Sequence, residues 1–223
     1  MAGGFPQGRA ILVAGEPGTG KTTLCLQFLL EGLNRGEKTV YIGIDEKPMH
    51  ILQDARTLQW DFQPFLDKGA FQILDVSKYF SAFHNYESQG AIQTTQIVQD
   101  LIGFIKNCQA SRVVIDPIVP LIFNQRRLPE INEYIRGLVF DLEDLPQVTT
   151  LLTSLVPVGT NTFSQHGIEE FVVSGIITLR LFKLTNKYVR SLMVRKIRGT
   201  QTELSEYSFD ILAGRGVVLR QPI

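Results

Sequence analysis

Gly15, Gly18, Gly20, Lys21 and Thr22 are the residues whose types and spacing specify chemistry most directly. They stand in GEPGTGKTT, Gly15 to Thr23, which fits G-x-x-x-x-G-K-[ST] in full. Glycine opens backbone conformations closed to other residues and lets the main chain approach a phosphate closely. The candidate nucleotide loop comprises Gly15, Glu16, Pro17, Gly18, Thr19, Gly20, Lys21, Thr22 and Thr23. Its N–H groups and the positive end of a following helix make an anion cradle. Lys21 can reach the outer phosphates of a triphosphate, and the Thr22 hydroxyl can ligate an accompanying Mg2+. The bland alternative is a glycine-rich turn before an ordinary helix. The apolar run Ile11–Ala14 before the loop, and Leu24, Phe28, Leu29 and Leu33 at helical spacing after it, favour the phosphate loop.

Three carboxylates fall where such a loop needs them. Asp116 ends VVIDP, a hydrophobic strand running into an aspartate, and is the candidate to hold the magnesium shell with Thr22. A turn or cap aspartate is the alternative. Asp45 and Glu46 end the strand that begins TVYIGI, and a carboxylate there can deprotonate a water aimed at the terminal phosphate. Successive strand residues point to opposite faces, so one of the pair faces the water. A solvated pair capping the next helix accounts for these two residues equally well. Arg190, Arg195, Lys196 and Arg198 gather before Gly199-Thr200. They read either as cations for a transferring phosphoryl group or as a solvated hairpin edge, and spacing leaves both open. His50, His84 and His166 are isolated, Trp60 reads as packing, and Arg126-Arg127 as a solvated loop pair.

The elements positioning these residues alternate. A helix spans 22–35 and Gly36 stops it; strands follow at 39–44 and 71–76, with helices near 49–58 and 62–67 between them. After an irregular aromatic link at 77–90 come a helix at 93–107, a strand at 112–116, a helix at 130–145 and a strand at 149–154. This alternation predicts an α/β fold with a mainly parallel central sheet and helices on both faces. The runs 176–184 and 188–196, with Thr185-Asn186-Lys187 between them, then predict a C-terminal antiparallel hairpin, and 207–211 with 217–219 a further pair. No linker divides residues 1–223, which read as a single domain. A chain of this length buries roughly 70% of its unfolded surface.

Lys plus Arg number 22 and Asp plus Glu 22, so the zero formal charge argues against a general polyanion binder. Cys25 and Cys108 lack metal-ligand spacing and read as reduced core cysteines of a cytoplasmic protein. No apolar stretch is long enough to span a bilayer.

The combination of motifs resembles the RecA-like ATPases of the KaiC type, the circadian-clock ATPase family. The resemblance runs through GGFPQGRAILVAGEPGTGKTTL, IGIDEKP, LQWDFQPFLDKGAFQILDVS, VVIDP, HGIEEFVVSGIITLR and VRKIRGTQTELSEYSFDI, in order and over nearly the whole chain. The late K-x-R-G-T element and the EEF segment are its most particular parts. It implies a RecA-like P-loop fold and an ATPase using ATP and Mg2+. By resemblance, Asp45 and Glu46 fall on paired catalytic glutamates, with Lys21 as the loop cation. Lys196 and Arg198 fall on residues reaching the γ-phosphate of the adjacent subunit in a hexameric ring. Three departures stand out. Asp45 is one methylene shorter than glutamate, which shifts weight to Glu46 as the base. The chain starts almost at the glycine-rich lead-in, where the family carries a further segment that helps subunits pack. The position resembling the clock protein's phosphorylated Ser-Thr pair reads Glu170-Phe171, which argues against self-phosphorylation.

The expected function is therefore a regulatory, ring-forming, ATP-hydrolysing homo-oligomer, with room for a regulatory protein partner. The alternatives are a nucleotide-dependent binding module with negligible turnover, and a RecA-like DNA motor. Zero net charge and the lack of an evident basic, glycine-rich loop argue against nucleic acid.

Overall fold

The computed structural model describes residues 4–44, 46–76, 94–119, 128–157, 160 and 162–223. Asp45, His84, Arg126, Arg127 and the aromatic link at 77–90 lie outside the described residues. Among the described residues, one sheet of nine strands organises the molecule, in the order β3-β2-β4-β5-β1-β6-β7-β8-β9. Its strands are β1 (Ala10–Gly15), β2 (Thr39–Gly43), β3 (Phe71–Asp75), β4 (Arg112–Asp116), β5 (Thr149–Leu155), β6 (Gly175–Leu184), β7 (Lys187–Ile197), β8 (Glu206–Leu212) and β9 (Gly216–Pro222). The first six in spatial order, β3 to β6, pair in parallel; β7, β8 and β9 extend the β6 edge as an antiparallel meander.

The parallel strands carry nearly continuous apolar sequence because both faces are covered. All six residues of β1, AILVAG, are buried. The two-residue side-chain period divides them between two cores. Leu12, Val40, Ile42, Val113, Ile115 and Leu152 face one layer, which contains α4 (Thr94–Asn107) and α5 (Leu128–Glu143). Ile97, Leu101 and Ile105 of α4, and Ile131, Ile135, Leu138 and Leu142 of α5, recur at helical spacing and form its apolar stripes. Ile11, Val13, Tyr41, Val114 and Leu151 face the other layer, formed by α1 (Lys21–Asn34), α2 (Pro48–Thr57) and α3 (Gln63–Asp67). Proline in the first turn starts both α2 and α3, where its missing N–H leaves no hydrogen bond unmade. Trp60 is buried in this second layer, as packing predicts.

Three features differ from expectation in ways that matter. The β2 strand ends at Gly43, so Glu46 lies beyond the pleat and strand alternation does not decide where it points. A four-residue helix, α6 (Glu169–Val172), precedes β6. It is too short to leave a periodic pattern. The β6–β7 turn is also tighter than expected, since Lys187 already belongs to β7 and Thr185 takes the left-handed conformation (φ 56°).

The β8–β9 hairpin is fastened to the middle of the chain's first helix. The Gln27 amide of α1 donates to the carbonyls of Arg215 and Val217 and accepts the Val217 N–H at 2.8 Å. Gly216 sits beneath it at φ 71°, where a Cβ would fall 2.6 Å from both Gln27 Oε1 and the Trp60 ring. The left-handed backbone costs a non-glycine residue roughly 1–2 kcal/mol, and overpacking adds a similar amount. Gly216→Ala is therefore expected to lower unfolding free energy by about 2 kcal/mol or more. Chemical denaturation reads this directly, and an unchanged midpoint would mean that the hairpin does not dock on α1.

Candidate functional site

The loop after β1 closes on itself before any side chain is considered. A Cβ at Gly15 would lie 2.5 Å from the Leu179 carbonyl and 2.8 Å from Thr19 Oγ1, so no larger residue fits there. Gly20 takes φ 101° and caps α1, a conformation closed to other residues. The wholly buried Thr19 donates its hydroxyl to the Glu16 carbonyl at 2.8 Å, tightening the turn. Pro17 and Gly18 form its exposed crest, and Thr22 and Thr23 continue half-buried into the first turn of α1. Lys21 Nζ lies against the loop, donating to the carbonyls of Gly15 and Glu16 at 2.9 and 3.0 Å. Burial lowers its pKa, and the nearby Asp116 carboxylate opposes that shift.

Asp116 is the hub of the site. It ends β4, and the pleat points it to the α1 face, two residues after Val114 on that same face. Thr22 Oγ1 of α1 and Tyr41 OH of β2 each donate to Asp116 Oδ2 at 2.8 Å. Thr153 of β5 donates its hydroxyl to the other carboxylate oxygen, Oδ1. One carboxylate thus ties together three neighbouring strands and the first turn of α1. Burial, and then the negative Asp116 beside it, raise the Tyr41 phenol's pKa far above its usual range, so it stays a donor. Neither Tyr41 nor Thr153 belongs to a recognisable motif. Tyr41 sits at the centre of TVYIG and Thr153 among the other hydroxyl residues of TTLLTSL, so neither stands out in its strand.

These groups open into a cavity of about 500 Å³ outside the carboxyl ends of β2, β4 and β5, where open parallel sheets hold ligands. Lys21, Thr22, Glu46 and Asp116 line it, so four sequence-predicted residues converge on one space. His50 and Gln165, which carry no motif, line it too. Burial raises the Glu46 pKa, the carboxylates of Asp54 and Asp116 raise it further, and His50 opposes them. A hydroxyl and a carboxylate in contact, as in Thr22 and Asp116, are the sparse hard-oxygen set that magnesium takes from protein when phosphates supply the rest. The donor chemistry fits that ion.

The four basic residues do not act as one group. Arg190 Nε donates to the Gly18 carbonyl at 3.3 Å, on the loop itself. Arg195 stacks 4.4 Å from the Phe163 ring. Lys196 donates to the Glu170 carbonyl at 2.6 Å and Arg198 to the Phe171 carbonyl at 2.9 Å, both on α6. Burial, and then the neighbouring Arg198 charge, lower the Lys196 pKa. The register explains the separation. Ile197 pairs with Gly175, which pairs with Ile11, whereas the loop begins at Gly15. Lys196 stands level with Leu12, three steps from Gly15, and Arg198 lies beyond the level of Ile11, four steps away. This puts them roughly 10–13 Å or more down the sheet from the loop.

Comparison with known proteins agrees with the fold. The family profile described as "ATPase: KaiC" matches residues 1–222. The UPF0273 protein PH0284 of Pyrococcus horikoshii is 30% identical, covering 98% of this chain and 88% of that protein. The circadian clock oscillator protein KaiC of Thermostichus vulcanus is 30% identical across 95% of this chain, which spans 40% of the clock protein's length. Among solved structures, the KaiC-like protein PH0186 of Pyrococcus horikoshii OT3 superposes with a TM-score of 0.83 at 28% identity, covering 99% of this chain and 93% of its own. Among the described residues, no helix is long and apolar enough to cross a membrane.

The Asp116 hub makes a prediction of its own. Asp116→Ala leaves the Tyr41 hydroxyl, on a side chain only 1% exposed, without its acceptor. An unsatisfied buried donor costs about 1–3 kcal/mol. Thermal or chemical unfolding is expected to show that loss. Adding Tyr41→Phe to Asp116→Ala should recover part of it, and a further loss in the double variant would contradict the hub.

Proposed function

The chain belongs to the KaiC family of ATPases, and from that membership we propose that it hydrolyses ATP as one subunit of a ring. The observation carrying this reading is the convergence of Lys21, Thr22, Glu46 and Asp116 on one cavity. In this reading the loop from Gly15 to Thr23 holds the triphosphate, with backbone N–H groups and Lys21 on the outer phosphates. Magnesium held by Thr22 and Asp116 supplies neutralisation of the β- and γ-phosphate charge. Glu46 is the general base: it takes a proton as a water oxygen bonds to the γ-phosphorus, and the bond to the ADP oxygen breaks. Its raised pKa supports the role, because a carboxylate lifted toward the working pH is a stronger base. Asp45 is the neighbouring alternative.

We assign Lys196 and Arg198 to the ATP of the adjacent subunit. Their distance along the sheet from their own loop supports action in trans. So does their setting, with Phe171 69% exposed at the same place and Phe140 56% exposed on the adjoining α5. A cation supplied in trans contributes on the order of 10³–10⁵ in rate in related phosphoryl transfers and makes turnover depend on assembly. Glu170-Phe171 offers no hydroxyl there, so hydrolysis rather than self-phosphorylation is the proposed reaction. A cytoplasmic setting fits the two buried, unpaired cysteines. The zero net charge favours a protein partner over nucleic acid.

Lys21→Ala is expected to weaken ATP binding and abolish phosphate release, since the loop loses its cation against the outer phosphates. Unchanged affinity by calorimetry would rule out the assignment. Glu46→Gln is expected to bind ATP while phosphate release falls roughly 10²–10⁴-fold, because the amide cannot accept the proton. A fall of only about twofold would reject Glu46 as base, and a larger loss in Asp45→Asn would move the role there. The base works deprotonated and its folded pKa is raised. The wild-type rate should therefore decline with acidification at a higher pH than an ordinary glutamate would give, and Glu46→Gln should lose that limb.

A further inference from the structure

Gln165 lines the same cavity as Lys21, Glu46 and Asp116, yet it comes from neither the phosphate loop nor a strand end. It stands in the connection from β5 to α6, and that connection is fastened on both sides of it. The Gln165 N–H donates to Ser154 Oγ at 3.2 Å, and Ser154 is the neighbour of Thr153, which holds Asp116. Ser154 Oγ donates in turn to Glu169 Oε1 at 3.2 Å. Glu169 is fully buried, and its carboxylate also accepts the N–H groups of His166 at 3.3 Å and Ile168 at 3.2 Å. Before Gln165, the Ser164 hydroxyl donates to the Glu170 carboxylate and accepts the Gly167 N–H at 3.1 Å.

Burying a carboxylate is costly unless donors surround it, and donors held in fixed positions fix the chain that carries them. The Glu169 charge is enclosed by N–H groups of residues 166 and 168 and the Ser154 hydroxyl, so it determines the course of the backbone immediately after Gln165. The side chain so placed is, among the described residues, the neutral amide lining a cavity whose other polar groups include the Lys21 ammonium and two carboxylates. An amide offers a donor to phosphate oxygen without the repulsion a carboxylate brings, and an acceptor to a water.

We propose that Gln165 is a further residue of the triphosphate site, its side-chain N–H donating to the terminal phosphate, and that Glu169 is the positioning residue that holds it there. The inference deepens the hydrolysis reading above and rests on the phosphate-loop assignment within it. It assigns to Gln165 the discrimination between triphosphate and diphosphate, because the terminal phosphate is the group it contacts.

The test is calorimetric titration with ADP and with a non-hydrolysable ATP analogue, in the presence of magnesium. For Gln165→Ala the analogue affinity is expected to fall about tenfold, as for loss of a hydrogen bond to a charged group, with ADP affinity unchanged. Gln165→Glu keeps the size and brings a negative charge to the phosphate, so its loss should exceed that of alanine. A merely structural role would not produce that order. Glu169→Gln, similar in shape but a weaker acceptor for the loop N–H groups, should lower the analogue affinity while sparing ADP. If wild type discriminates and both Gln165 variants keep its ratio of affinities, or lose both affinities equally, the inference is overturned while the loop assignment stands. If wild type binds neither nucleotide, the loop assignment itself falls and takes this inference with it.

Discussion

The Asp116 carboxylate is the constraint on which the rest of the site depends. It collects hydroxyls from α1, β2 and β5, which are far apart in sequence, and holds them at one end of the sheet. Because Thr22 is among them, the helix following the phosphate loop is fixed in rotation, and the loop with it. A carboxylate with three donors is well satisfied in a partly buried place, where an unpaired charge would be costly. The same group adds to the rise that burial, and then Asp54, give the Glu46 pKa, and it opposes the lowering that burial gives the Lys21 pKa. Structure and electrostatics of the site therefore meet at a single side chain.

The second organising feature is the reversal of chain direction at β7. Parallel strands deliver their carboxyl ends to one edge of the molecule, where the loop and the cavity lie. The antiparallel β7 passes Arg190 beside that loop and then carries Lys196 and Arg198 away from it. Both cations end on carbonyls of α6, directly after the segment fixed by the buried Glu169. Residues 164–171 thus join a subunit's own cavity, through Gln165, to the place where its own Lys196 and Arg198 are held. That arrangement suits an enzyme whose turnover answers to assembly.

Much of this was legible in the sequence, for identifiable reasons. The phosphate loop and the aspartate of VVIDP are written locally, since their chemistry depends on consecutive residues. The layered sheet follows from alternating apolar runs, and the C-terminal hairpin from two strand-like runs around a short break. Tyr41 and Thr153 were not legible as site residues, because their role arises from register between strands that the sequence does not pair. Glu46 was assigned to a strand end, whereas β2 stops at Gly43 and the residue reaches the cavity from the following turn. Gln165 gave no signal at all, being placed by hydrogen bonds to Ser154 and around Glu169. The basic group looked continuous in sequence, and only the sheet register separates Arg190 from Lys196 and Arg198.

The proposed division of each active site between two subunits is tested most directly by mixing two inactive variants. Glu46→Gln lacks the base but keeps the cations, whereas Arg198→Ala lacks a cation but keeps the loop and base. When the two are mixed in equal amounts and allowed to exchange, random assembly through a heterologous interface makes about a quarter of the sites from intact halves. Phosphate release should therefore reappear, approaching about a quarter of the wild-type rate. If mass measurement shows mixed assemblies and the mixture still releases no phosphate, the cations do not act across the interface and the divided site is wrong.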